Sequence, residues 1–183
     1  GTHFMYLGWS EDAAKRAVYL GTLDTKDKQR LIAEESNGIY AAPGYVFFHH
    51  GPTLFARPFN AKTLAFTGEP LQIAGGVAAG PTGRGLFDVS QTGAMMYYQG
   101  TGGGSTGRGR TSTSQFGFVD RSGGQKEIGI EVGPYGDVDL SPDGTLIAVT
   151  KQDPGARSSD IWVVDWRQAK PTKLTSDAAD DLN

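Results

Sequence analysis

One stretch, residues 138–150, constrains the fold more than any other part of the sequence. It reads V-D-L-S-P-D-G-T-L-I-A-V-T, which is an alternating segment, the turn Ser141-Pro142-Asp143-Gly144 and a second apolar segment. Pro142 fixes φ at the second position of a type I turn, Asp143 can bond its own backbone, and Gly144 tolerates a positive φ. The stretch therefore predicts an antiparallel β-hairpin.

Two further strands follow this hairpin. Residues 159–166, S-D-I-W-V-V-D-W, are rich in β-branched and aromatic residues, and P-T-K-L-T at residues 171–175 is a shorter candidate. Four antiparallel strands within about 40 residues have the size of one blade of a β-propeller.

The same order of segments recurs along the chain. The hairpin F-D-V-S-Q-T-G-A-M-M-Y-Y at residues 87–98 matches the first one, with Ser90 and Ser141 51 residues apart. Residues 39–48, I-Y-A-A-P-G-Y-V-F-F, are a weaker copy with a shorter turn, and the initial G-T-H-F-M-Y-L-G-W reads like a strand that follows such a turn. Repeats of this length are typical of propellers.

We therefore predict an all-β chain, a β-propeller built from about four antiparallel four-stranded blades. The ring is expected to be partial or closed by an oligomer, and the chain is expected to be a segment of a longer protein. Residues 1–183 form one propeller segment, with repeats at about 1–37, 38–82, 83–134 and 135–183.

Composition excludes several functions. The 27 Gly and 9 Pro among 183 residues favour many turns, and the formal net charge of −3 argues against a nucleic-acid surface as the main purpose. The absence of Cys excludes disulfides, thiolate zinc sites and a Cys nucleophile. No run of 18 apolar residues is present, so direct membrane insertion is not predicted.

Several of these motifs carry a family resemblance. The S-P-D-G turn, S-D-I-W-V-V-D, K-L-T and D-A-A-D-D-L-N resemble the WD40-like (PD40) repeats of the TolB propeller family. More narrowly, Y-A-A-P-G-Y-V-F-F, T-L-F-A-R-P-F-N-A-K and D-R-S-G are similar to propellers that lie C-terminal to bacterial serine/threonine kinase domains. The resemblance covers nearly the whole chain and implies a non-catalytic binding or sensing module in an extracytoplasmic or periplasmic location. Its motifs are not specific for an activity.

Four residues are candidates for contact with a ligand or partner. Trp9 and Trp166 each lie at a strand end, where a partner could reach an indole ring. Arg108 and Arg110 follow residues 102–107, which fit G-x-G-x-x-G. Because no βα unit precedes this motif, a loop between two strands is favoured over a phosphate cradle, although the two arginines could contact an anion.

Asp137 and Asp139 are two further candidates, because they share one face of a strand that is expected near the propeller axis. Clustered carboxylates could supply some of the about six to eight oxygens that calcium takes, but turn formation and solvation explain the same residues more simply. His49 and His50 are neighbours on a strand and point to opposite faces, which argues against a metal pair. No metal site and no cofactor is predicted, with calcium as the alternative.

The function expected from these observations is recognition of a protein or a small ligand, without catalytic residues. Two alternatives stay open: the propeller part of an enzyme, as a peptidase accessory domain or a lactonase-like hydrolase, and a purely structural segment. A run of blades that does not close leaves two open faces. We therefore also predict a homo-oligomer in which two copies join their ends.

Overall fold

The computed structural model describes residues 1–42, 44–80, 83–99, 115–119, 124–126, 128, 133, 135–153, 155, 156, 158–176, 179 and 181. These residues form four antiparallel sheets, of three, five, four and four strands, and one turn of 3-10 helix. The predicted all-β fold, a partial β-propeller, is confirmed. No helix among these residues is long and apolar enough to cross a bilayer.

The sheets follow one another along the chain. The first consists of β1 (His3–Gly8), β2 (Ala17–Thr22) and β3 (Lys28–Ile32). The second consists of β4 (Ile39–Ala41), β5 (Tyr45–His50), β6 (Thr53–Asn60), β7 (Ala65–Phe66) and β8 (Leu71–Gly75). The third consists of β9 (Phe87–Val89), β10 (Met95–Gln99), β11 (Gln115–Val119) and β12 (Gln125–Lys126). The fourth consists of β13 (Tyr135–Leu140), β14 (Leu146–Gln152), β15 (Ser159–Asp165) and β16 (Lys170–Lys173).

Two local features differ from a simple four-stranded repeat. The 3-10 turn Ala13–Lys15 lies in the loop between β1 and β2, and the Asp12 side chain caps it by accepting a hydrogen bond from the Ala14 amide at 3.0 Å. Strand β6 is long enough to pair with β8 through its first half and with β7 through its end. The second sheet therefore has five strands.

Apolar side chains are buried between neighbouring sheets. Strand β10 shows the pattern most clearly, because Met95 and Tyr97 pack toward the second sheet and Met96 and Tyr98 pack toward the fourth. Both of its faces are buried, which explains the unbroken run of large apolar residues. The first and second sheets share a third such cluster, which contains Val18 and Phe48.

The first strands of the second, third and fourth sheets lie side by side, β9 against both β4 and β13. The turns that follow β9 and β13 are also in contact. The Gln91 amide donates to the Pro142 carbonyl at 3.0 Å, and the Thr92 hydroxyl donates to the Asp143 carbonyl at 3.1 Å. The S-P-D-G turn therefore connects two sheets as well as two strands.

Replacing Gly144 tests this contact between turns. Gly144 has φ +72°, and a Cβ there would lie 2.9 Å from the Ser90 hydroxyl oxygen. Gly155 has φ +81° with nothing near its Cβ position, so Gly155→Ala serves as the control. In urea unfolding we expect Gly155→Ala to cost about 1 kcal/mol for the left-handed backbone and Gly144→Ala about 1 kcal/mol or more in addition. Equal losses for the two variants would contradict a packed contact.

Candidate functional site

Three residues hold corresponding places on the neighbouring first strands. Tyr40 on β4, Asp88 on β9 and Asp139 on β13 pair with the second strands of their sheets at Val46, Met96 and Ala148. Asp88 and Asp139 each lie two residues before the serine of the following turn. The sequence analysis selected Asp139 and omitted Asp88, although the D-V-S and D-L-S repeat carries the signal.

Asp88 links the third sheet to the fourth. One of its carboxylate oxygens, Oδ2, accepts a hydrogen bond from the Leu140 amide at 2.6 Å. Burial raises the pKa of the Asp88 carboxyl above its ordinary value, and the charge of Asp139 also raises it. The hydrogen bond from Leu140 and the charge of Arg84 act in the opposite direction. Ionised Asp88 is therefore a costly group between the third and fourth sheets.

Asp137 and Asp139 lie on β13, the first strand of the fourth sheet, and both are partly buried. Val138 packs into the core shared with the third sheet, so alternation turns Asp139 to the other side, whereas Asp137 lies at the irregular register between Tyr135 and Val138. The Asp137 amide donates to the Thr150 hydroxyl at 2.9 Å. Among the described residues no group of three His, Asp or Glu side chains could hold a metal ion.

Trp9 lies in the loop after β1 and its side chain is 57% exposed. The Arg16 guanidinium lies 5.1 Å from the centroid of the Trp9 ring. Arg16 is itself fixed, because it donates to the Ser10 carbonyl at 2.7 Å and pairs with the Glu35 carboxylate at 2.8 Å. The sequence analysis did not select Arg16 or Glu35, since 19 residues separate them in the chain.

The loop that carries Trp9 and Arg16 lies beside two other loops. We call residues 9–16, 33–38 and 83–86 together the loop rim. His49 is 5% exposed, and its ring nitrogens lie 3.1 Å from the Gly51 carbonyl oxygen and 2.9 Å from that of Gly83. The Gly85 amide donates to the Asn37 side chain at 2.8 Å. His50, the next residue on β5, is exposed and its ring lies 2.7 Å from the Glu34 carboxylate, so the two histidines lie on opposite faces of the strand.

Trp166 is held differently from Trp9. Its indole nitrogen donates to the Gly144 carbonyl at 2.7 Å, and its ring lies 4.4 Å from the Phe118 ring. Trp166 therefore supports the 141–145 turn and contacts the third sheet. Arg108 and Arg110, together with the glycine-rich segment before them, lie outside the described residues. The contact roles of Trp9, Trp166, Arg108, Arg110, Asp137 and Asp139 stay predictions.

An ion pair between the buried Asp160 and the exposed Lys173 lies at the edge of the fourth sheet. Asp160 is 3% exposed, and its Oδ2 lies 2.7 Å from the Lys173 ammonium. Lys173 also contacts the Asp153 carboxylate at 2.9 Å. The hydrogen bond to Asp160 raises the pKa of Lys173 most, and the one to Asp153 raises it further. The pair joins β15 to β16, so we assign it to structure.

The stacked sheets, the adjacent first strands and the turns between them are those of a β-propeller segment. No family model matches the sequence, and no curated protein matches it significantly. Among solved structures, the chain is similar to TolB from Acinetobacter baumannii, with a TM-score of 0.68 and 14% identity over 96% of this chain and 42% of TolB. It is also similar to puromycin hydrolase, with a TM-score of 0.56 and 15% identity over 100% of this chain and 28% of the hydrolase.

At these identities the likeness is one of fold, and the predicted resemblance to TolB-like propellers is confirmed. The chain spans less than half the length of either neighbour. The narrower similarity to kinase-associated propellers and the boundaries of the repeats stay predictions.

The cost of ionising Asp88 can be measured with Asp88→Asn. Because burial raises the folded-state pKa, Asp88 contributes stability below its unfolded pKa of about 3.9, and this stability is lost as the pH rises through the folded-state value. Asparagine keeps an acceptor for the Leu140 amide without a charge. We therefore expect Asp88→Asn to match or exceed the wild type by up to about 1 kcal/mol at pH 7, and to lose this advantage near pH 3.

Denaturant unfolding at both pH values checks this expectation. Asp88→Ala is the matched control, since it leaves the Leu140 amide without its acceptor and should cost about 1–3 kcal/mol. Equal destabilisation of the Asn and Ala variants at pH 7 would contradict the assignment.

Proposed function

We propose that this chain is a non-catalytic recognition module and that it binds a protein partner at the loop rim. The observation that supports this most directly is the pair formed by Trp9 and Arg16. A tryptophan that is 57% exposed keeps much of its apolar ring in water, and burial against a partner would remove that cost. Trp and Arg are also the residues most enriched at the energetic centres of protein interfaces.

The rim is pre-organised for binding. Arg16 is fixed by the Ser10 carbonyl and the Glu35 carboxylate before any partner arrives, so less side-chain entropy is lost on association. The loops themselves are held by His49 and Asn37, which connect them to residues 83–85. A partner that offers an apolar pocket to the ring, with a carboxylate near the guanidinium, would match this arrangement.

A second candidate is supported by the similarity to puromycin hydrolase. In that reading the chain is the propeller part of a hydrolase, and the loop rim contacts another domain of the same enzyme. An extracytoplasmic location is likewise a proposal, and the similarity to TolB supports it.

Peptide selection tests the role of the rim. A phage-displayed peptide library is selected against the immobilised chain, and the selected peptides are measured by calorimetry against the wild type, Trp9→Ala and Leu23→Ala. Leu23 is 66% exposed and lies after β2, outside the rim, which makes it a control for removal of exposed apolar surface. We expect Trp9→Ala to weaken binding about 30-fold, equivalent to about 2 kcal/mol, and Leu23→Ala to change it less than about 2-fold.

Two results would contradict the proposal: peptides that bind the wild type and Trp9→Ala equally well, or peptides whose binding depends on Leu23 instead. Arg16→Lys provides a finer test. It keeps the charge but removes the planar fork that contacts both Ser10 and Glu35, and we expect an intermediate loss of affinity.

A further inference from the structure

Glu35 connects two segments of the loop rim that are far apart in the chain. One of its carboxylate oxygens, Oε2, accepts a hydrogen bond from the Arg16 guanidinium at 2.8 Å, at the end of the loop between β1 and β2. The Glu35 side chain also lies directly against Gly83, which precedes β9. A Cβ on Gly83 would overlap the Glu35 Cγ and would lie 2.7 Å from its Cδ and from its Oε1. Glu35 therefore occupies the space that a larger residue at position 83 would take.

The backbone on both sides of this contact is held against β5. The hydroxyl of the fully buried Ser36 accepts a hydrogen bond from the His49 amide at 2.9 Å, which fixes the chain next to Glu35. The His49 ring in turn lies 2.9 Å from the Gly83 carbonyl oxygen. The Glu35 side chain is the yielding part, because it is 33% exposed and can rotate toward solvent. A side chain added at position 83 would therefore displace the Glu35 carboxylate.

Gly51 is a close match for Gly83 in every respect except this contact. Gly83 has φ +76° and Gly51 has φ +54°, so both occupy the left-handed region that favours glycine. The Gly51 carbonyl oxygen lies 3.1 Å from the other nitrogen of the same His49 ring. Among the described residues, no atom beyond its chain neighbours lies within 4 Å of a Cβ on Gly51. Comparing alanine at the two positions separates backbone strain from displacement of Glu35.

We propose that Gly83 is a positioning residue for the pair formed by Trp9 and Arg16, and that it acts through Glu35. The open space at Gly83 lets Glu35 reach Arg16, whose guanidinium lies 5.1 Å from the centroid of the Trp9 ring. Without Glu35 the guanidinium would lose one of its two anchors and would no longer be held beside the indole. The inference rests on the proposed recognition at the loop rim. It adds that residues 83–86 set the affinity without having to touch the partner.

The mobility of Arg16 in the free chain gives the first test. NMR relaxation of the Arg16 Nε–H group, assigned with Arg16→Lys, reports whether the guanidinium is held, since Nε donates to the Ser10 carbonyl at 2.7 Å. We expect an order parameter of about 0.85 in the wild type and in Gly51→Ala, and below about 0.6 in Gly83→Ala. An order parameter that does not change in Gly83→Ala would overturn the proposal.

A double-mutant cycle tests whether the path runs through Glu35. Glu35→Ala removes the link without straining the backbone, so it keeps the proposal testable if circular dichroism shows that Gly83→Ala folds poorly. It should free Arg16 as fully as Gly83→Ala does, and combining the two substitutions should change the order parameter no further. Glu35→Gln keeps an acceptor for Arg16 and should give an intermediate value. Additive effects of the two substitutions would place Gly83 on another path and would overturn the proposal.

Affinity for the selected peptides gives the second test. We expect Gly83→Ala to weaken binding about fivefold and Gly51→Ala to weaken it less than about twofold. Wild-type affinity in a Gly83→Ala chain whose Arg16 is mobile would overturn the positioning role. The proposed recognition itself fails on a different result, which is equal binding of the peptides to the wild type and to Trp9→Ala.

Discussion

The packing of apolar side chains between successive sheets is the interaction on which this structure depends. Among the residues that the structure describes, each of the three buried clusters draws side chains from two neighbouring sheets, and no sheet has a separate core. Fully burying one large apolar side chain contributes about 1.5–3 kcal/mol, so Met95, Met96 and Tyr98 on β10 connect the third sheet strongly to both neighbours. Stability in such a chain is shared between repeats and is not a property of any one of them.

Hydrogen bonds between neighbouring repeats set the spacing that this packing requires. The amide of Gln91 and the hydroxyl of Thr92 bond to the next turn, and Asp88 bonds to the Leu140 amide. The Asp88 hydrogen bond requires a partly desolvated carboxylate, and this burial raises the pKa of the carboxyl. A neutral acceptor would make the same hydrogen bond without the cost of desolvating a charge.

The recurring order of strands and turns made the fold predictable from the sequence. The contacts of the candidate site were less predictable, because they join residues that are far apart in the chain. Strand order, the S-P-D-G turn and the opposite orientations of His49 and His50 all follow from patterns within ten residues. Arg16 and Glu35 meet only because β2 and β3 return the chain to the same end of the sheet, which no local pattern indicates. Trp9 and Trp166 both lie beside a strand end, yet only Trp166 has a neighbouring turn whose Gly144 carbonyl it can reach. The sequence therefore predicted where each residue lies in the repeat, but it did not predict which residue its side chain would contact.

The same repeat position can serve different purposes in successive sheets. Tyr40, Asp88 and Asp139 occupy corresponding places on β4, β9 and β13. Asp88 accepts a hydrogen bond from the Leu140 amide of the fourth sheet. Asp139 belongs to the fourth sheet, the last one described, and lies on the side that faces away from the third sheet. A residue type that braces one sheet to the next within the chain is thus presented at the outer face of the fourth sheet.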